Sequence, residues 1–215
     1  MNPLVIAHHL IWTAYGWWLP NDPRGSGSFL IRSDILAHLG ELHHGRKPVQ
    51  PPGKVIRQFQ NYAEDLLKHP RLAFDNVAIE QIAFAFGQKI AEHRYTCYAC
   101  VIMPDHVHIV IRKHKHSAEE MVEHLQAAAR KQLIAAECFA STHPVWTAGA
   151  GWDGFLDHPD EIRRTIRYVE KNPDPIGLPR QSWAFVKSYD GWPLHPGHSA
   201  QSPYVKALTA AGRYP

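Results

Sequence analysis

Three cysteines in 215 residues, Cys97, Cys100 and Cys138, are too few for a multi-bridge framework, so the fold must rest on a packed core. No apolar run approaches the roughly 20 residues that cross a bilayer. The opening Met-Asn-Pro-Leu lacks the basic and apolar regions of a secretory signal. An intracellular, soluble chain without membrane attachment is expected. Excess charge is scarce as well: 23 Lys+Arg against 20 Asp+Glu leave +3. That balance permits nucleic-acid binding without establishing it. A 45% apolar content excludes disordered and fibrous classes. What is abundant is histidine, at 16 residues, and its distribution has to be explained.

Residues 4–12 are rich in β-branched and aromatic side chains and predict a first strand. The breaker cluster Pro20-Asn21-Asp22-Pro23-Arg24-Gly25 ends it. Residues 21–73, with a short helix over 33–44 capped by Ser33 and another over 54–68, form an inserted segment too small and Pro-rich to be independent. Asp75 then caps a helix whose Ile79, Ile82, Ala83, Phe86 and Ile90 follow helical spacing. Residues 95–103 and 106–112 predict a hairpin turning at Pro104-Asp105. Ser117-Ala118-Glu119-Glu120 fits a capping box ahead of a helix striped by Met121, Leu125, Ala129 and Leu133. Residues 145–157 hold a Gly-interrupted strand. A last helix starts near Pro159 and ends about Asn172, before Pro173. The order is that of an α+β, ferredoxin-like βαββαβ sandwich, with helices on one face of an antiparallel sheet, the other face free, and an added C-terminal helix. A single domain over 1–215 is expected, with an irregular extension over 181–215.

In His106-Val107-His108 the strand period puts both imidazoles on one face and Val107, Ile109 and Ile111 on the other. Two imidazoles about 7 Å apart along a strand can converge on one ion. The last helix offers a third donor. Ile162, Ile166 and Val169 form its apolar stripe, while Glu161, Arg164, Tyr168 and Asn172 project elsewhere. Asn172 falls one turn after Tyr168, so its carbonyl oxygen reaches the same region as the phenol. Arg163, Arg164, Arg167 and Lys171 stand against a single Glu170, a surface suited to phosphate. Two imidazoles and an amide oxygen with open positions suit Mg²⁺ or Mn²⁺. Such an ion would polarise a scissile phosphate for attack by Tyr168, giving a 5′-phosphotyrosyl link and a free 3′-OH.

At these residues the chain resembles a known family. Met103-Pro104-Asp105-His106-Val107-His108 is similar to the M-P-N/D-H-V-H segment of the HUH single-tyrosine transposases. Tyr168-Val169-Glu170-Lys171-Asn172-Pro173 is similar to the Y-x-x-x-N-P segment of their REP-associated branch. The resemblance covers roughly residues 4–19 and 75–180. It implies a ferredoxin-like nuclease fold and a divalent metal on His106, His108 and Asn172, with Tyr168 as nucleophile. It also implies strand transfer on single-stranded DNA hairpins by a cytoplasmic, nucleoid-associated monomer or homodimer. The segment 21–73, the C-terminal extension and Pro175-Ile176-Gly177-Leu178, where the branch usually carries a basic residue, depart from the pattern.

Other readings compete. Cys97 and Cys100 with His106 and His108 would make a Cys₂His₂ zinc module, but residues three apart in a regular strand face opposite ways. A domesticated, non-cleaving hairpin-binding protein is a second alternative. Arg112, Lys113 and Lys115 at a strand end, like Arg130 and Lys131, are either solvated or contacts to phosphates. Trp17 and Trp18, beside Arg24, either stack on unpaired bases or anchor their loop to the core. His8-His9, His43-His44, His195 and His198 show no metal-ligand spacing and are assigned to surface or packing.

Overall fold

The computed structural model describes residues 5–31, 34–149, 151–193, 203–210 and 212. Strand β1 (Ala7–Thr13) is followed by α1 (Asp34–Ala37), α2 (Gly53–Glu64) and α3 (Asn76–His93). The hairpin β2 (Cys97–Ile102) and β3 (His106–Arg112) leads to α4 (Ala118–Ala135), β4 (Trp152–Leu156) and α5 (Pro159–Lys171). A 3₁₀ turn (Asp174–Ile176) and α6 (Pro203–Ala210) complete the described elements. The four strands lie in the order β2-β3-β1-β4, every neighbour antiparallel. The expected α+β architecture is present.

Local sequence accounts for the element ends. The Asp75 carboxylate accepts the Ala78 N–H at the start of α3, and Ser117 and Glu120 make the reciprocal capping box of α4. His158 accepts the Asp160 N–H at the start of α5, where Pro159 occupies the first turn. Gly151, at φ +74°, lets β4 approach β1 so closely that a Cβ there would sit 2.1 Å from the Ile11 carbonyl oxygen.

Leu10, Trp12, Val107, Ile109 and Ile111 point from one sheet face into a core shared with Ile82 and Phe86 of α3 and Leu125 and Leu133 of α4. The opposite face is not free. Helix α5 lies on it, burying Ile162 and Val169 against Ala7, Tyr98, Val101, Val110 and Leu156. A helical stripe of only three apolar residues, completed by half-buried Ile166, covers part of this face and leaves the rest to polar side chains.

Three further expectations change. The helix over 33–44 is reduced to the single turn of α1; the chain after it, at Gly40 with φ +138°, cannot stay helical. Its proposed cap Ser33 lies outside the described residues. The C-terminal extension contains α6, and residues before it close the outer edge of β2. The Gln181 side chain donates to the Ile102 carbonyl and accepts its N–H, at 2.7 and 2.8 Å, and the Lys187 N–H donates to the Cys97 carbonyl. Such pairing blunts an exposed strand edge. The parity argument for Cys97 and Cys100 also fails, because β2 shifts register between Cys97 and Ala99 and turns both thiols into the α3/α4 core. They still face away from His106 and His108, and burial pushes both thiols up. No shared zinc site results.

Replacing Ile162 by Ala should cost about 2–5 kcal/mol through lost burial and a cavity under α5. Urea denaturation checks this; a change within about 0.5 kcal/mol would mean that α5 is not held by this contact.

Candidate active site

The site lies on the second sheet face, under one flank of α5. In β3, His106 and His108 project toward it while Val107 and Ile109 enter the core behind, as strand alternation requires. The two rings meet edge to face, centroids 4.8 Å apart. The turn before them is pinned from both sides: the Met103 N–H donates to the His106 carbonyl, and the Ala14 N–H to the Asp105 carbonyl. Asp105 is thereby held beside His106, whose Nδ1 lies 2.7 Å from Asp105 Oδ1. An ionised carboxylate only accepts, so His106 Nδ1 carries the proton. Partial burial opposes ionisation of Asp105, but the His106 hydrogen bond and charge, a backbone N–H and Arg24 outweigh it and hold the carboxyl below its usual range.

A residue that spacing alone missed completes the group. His9 Nε2 lies 3.0 Å from His108 Nδ1, with the rings stacked at 5.1 Å. The antiparallel register sets Ile11 opposite His108 and His9 opposite Val110, so His9 is the diagonal neighbour of His108 on the same face. Burial lowers His9 to about 4, partly offset by Asp153. Burial, then the neighbouring His106 and His9, lowers His108 to about 2. Both are neutral imidazoles at physiological pH. His8, on the other face of β1, is bonded to Asp153 at 3.1 Å and takes no part.

Tyr168 comes from α5 of the same chain. Its ring stands edge-on to His108 at 5.6 Å and to His9 at 6.0 Å, while the residue remains 56% exposed. Asn172 closes α5, its backbone N–H donating to the Val169 carbonyl, one helical turn past Tyr168 and half-buried.

The expected basic contacts separate into two groups. Arg167, Lys171, Lys113, Lys115 and Lys131 are exposed. Arg163 and Arg164 are exposed too, but pair with Asp160 and Glu161 one turn back. Arg112 stacks on Trp192 at 3.9 Å, and Arg130 donates to the Ser141 carbonyl. Arg24 is held by the buried Asp22 carboxylate, at 2.8 and 2.7 Å, and lies 4.0 Å over the Trp18 ring. The Trp18 indole donates to the Gly25 carbonyl and that of Trp17 to Leu72. These three residues therefore anchor the loop after β1.

A different histidine group, His93, His116 and His124, brings one ligand atom each to within 4.8 Å of one another and could hold a metal ion. It shares no residue with the His106/His108 site. No described helix is long and apolar enough to cross a membrane.

No family model matches the chain, and no curated protein matches it. Among solved structures it is similar to a REP-associated tyrosine transposase bound to a REP hairpin, at 13% identity and a TM-score of 0.41, over the whole of this chain and 86% of that one.

The depressed histidines predict a pH dependence. In the unfolded chain they protonate near the ordinary value of about 6.5, whereas the folded values are about 4 and about 2. The unfolded state thus binds more protons in this window, and stability rises with pH. The contribution is complete above about pH 6.5 and is lost as pH falls toward about 4 for His9 and lower for His108. In chelator-treated protein the urea midpoint should fall from pH 6.5 to pH 4, more steeply than in His9→Gln. Equal slopes would contradict the assignment.

Proposed function

We propose that the protein is a metal-dependent endonuclease and strand transferase acting on single-stranded DNA at hairpin-associated sites, with Tyr168 as nucleophile. The observation that carries this reading is the way β3 presents its two imidazoles. Asp105 holds the Nδ1 proton of His106. With Nδ1 of His106 engaged by Asp105 and Nδ1 of His108 by His9, Nε2 is the nitrogen each ring leaves for an ion. Orientation of a ligating histidine through its other nitrogen is how such rings are tuned for metal. The low proton affinity of His108 removes its main competitor. The two imidazoles therefore fit a divalent ion, for which the Asn172 amide oxygen, one helical turn past Tyr168, would be the third donor.

Two neutral nitrogens and one amide oxygen leave positions for phosphate oxygens and water, which favours Mg²⁺ or Mn²⁺ over structural zinc with its four protein ligands. When bound, the ion supplies Lewis-acid polarisation of the scissile phosphate. The protein residues do the rest. The Tyr168 hydroxyl loses its proton to water as its oxygen attacks phosphorus; the bond from phosphorus to the 3′ oxygen breaks, and that oxygen takes up a proton. One phosphoester replaces another, so a 3′-OH can later reverse the step without ATP. Arg167 and Lys171, exposed on the same helix, provide phosphate contacts that position the strand. The contact between Tyr168 and His108 within one chain supports a site assembled in a monomer. A protein working on DNA in this way belongs with the nucleoid in the cytoplasm.

Incubating labelled single-stranded hairpin DNA with protein and Mn²⁺ should give an SDS-resistant adduct. Tyr168→Phe should abolish it, and His108→Ala should reduce it at least about 100-fold. Adduct formed equally by Tyr168→Phe would remove the nucleophile assignment. Binding without any adduct in the wild type would instead indicate a non-cleaving hairpin-binding protein.

A further inference from the structure

Beyond the Arg112 end of β3, about 20 Å along the strand from His106 at 3.3 Å per residue, a second histidine group lies on the α3/α4 side of the sheet. His93 is the last residue of α3, His116 immediately precedes the Ser117 cap of α4, and His124 sits in the second turn of α4. The His93 and His124 rings stack at 4.4 Å. His116 meets each of them at 5.1 Å. One ligand atom from each of the three lies within 4.8 Å of the others.

Three features distinguish this from incidental crowding. The first is a shared hydrogen-bond partner. The buried Tyr95 hydroxyl lies 2.8 Å from Nδ1 of both His116 and His124, and a phenol oxygen can accept from two N–H groups at once. That leaves the Nε2 atoms of both rings without a hydrogen bond among the described residues. The second is position. Arg94, in the left-handed conformation at φ 58°, reverses the chain directly after His93, and the Tyr95 N–H donates to the Ile90 carbonyl, so Tyr95 is fixed beneath the three rings. The third is accessibility: all three histidines are half-buried and not enclosed, so an ion and a water ligand can reach them. The surrounding charges are mixed. Glu92 is paired with Lys89, Glu120 is held by the capping box, Lys115 is exposed, and His114 packs against Tyr95 and His116.

We propose that His93, His116 and His124 form a second metal site, of the Zn²⁺ class, that clamps the C-terminal end of α3 to the start of α4 and to the loop after β3. Three imidazole donors suit zinc and its transition-metal neighbours and not the oxygen-seeking Mg²⁺. Zn–N bonds of about 2.0–2.1 Å hold ligating nitrogens closer together than the 4.8 Å within which the three rings each bring a nitrogen, so binding would draw the rings inward. Water fills the fourth position. Tyr95 acts as a positioning residue, holding two rings through the nitrogens that do not ligate. The site is independent of the nuclease reading, because it shares none of that site's residues.

The test uses the full chain carrying His106→Ala and His108→Ala, so that the other site contributes nothing. Co²⁺ titration should give one tight equivalent with a visible d–d band, displaced by Zn²⁺. Saturating Zn²⁺ at about 100 times its Kd should raise the unfolding midpoint by about 5 °C or more. His116→Gln or His124→Gln should lose both effects, whereas the control His43→Gln/His44→Gln should keep them. Tyr95→Phe should retain the stoichiometry with affinity weakened about 10–100-fold. A measurement that needs no ligand variant is paramagnetic broadening by Co²⁺, expected first at the ring protons of His93, His116 and His124. Absence of Co²⁺ uptake, uptake unchanged in both Gln variants, or broadening confined to other histidines would overturn the proposal.

Discussion

The register between β1 and β3 is the constraint on which the second sheet face depends. From Ala7 opposite Arg112 to Thr13 opposite His106, the two strands pair without interruption. On the core side this alignment buries Leu10, Trp12, Val107, Ile109 and Ile111 together. On the other side the same alignment brings His9 to His108. A slip of one residue would turn His9 into the apolar layer and expose Leu10. The apolar cost of that slip, several buried side chains at roughly 1.5–3 kcal/mol each, is far larger than any hydrogen bond between two imidazoles. The contact between His9 and His108 is therefore imposed by packing on the opposite face.

Burial then determines the chemistry of that contact. An imidazolium taken out of water loses solvation, which holds His9 neutral despite Asp153 and, with repulsion from the neighbouring rings, holds His108 neutral. His106, at the mouth of the strand, has the Asp105 carboxylate as the partner of its Nδ1. The remote triad follows the same logic with another partner: the Tyr95 phenol replaces carboxylate and imidazole at the nitrogens that face inward. Both groups leave nitrogens open on rings whose orientation is set from behind. They differ in the third element. At β3 it is a helix that brings a phenol against the rings; at the triad it is a third imidazole.

The parts of this arrangement legible in the sequence are those governed by local periodicity. Alternation along 106–112 assigned His106 and His108 to one face, helical spacing put Ile162 and Val169 inward, and Ser117 with Glu120 marked the start of α4. The parts that were not legible depend on contacts between distant segments. His9 looks like half of an idle His8-His9 dipeptide until the register with β3 is known. His93, His116 and His124 have spacings of no standard ligand motif, and only the packing of α3 on α4 unites them. The bulge at Cys97/Ala99 defeats a parity argument that holds for regular strands. The sheet face expected to be free is partly covered by α5, because an apolar stripe shows that a helix packs inward but not which side of the sheet it packs on.

That short stripe also explains where Tyr168 stands. Val169 is fully buried and fixes the rotation of α5 about its axis. The preceding residue lies about 100° away around the helix, neither beneath it nor on its solvent crest. Tyr168 thus falls at the rim, where one edge of its ring touches His108 and His9 and the rest is open. Arg167, a further 100° round, points outward with Lys171, four residues on and on the same side. A helix with a wider apolar stripe would draw the rim residue into the core, where an uncharged phenol could pack but nothing from solvent could reach it. The narrow stripe keeps α5 attached through Ile162 and Val169 while leaving the phenol accessible between the histidines and the exposed cations. The same economy of contacts accounts for the polar character of the sheet face, because the area α5 does not cover is the area that the imidazoles occupy.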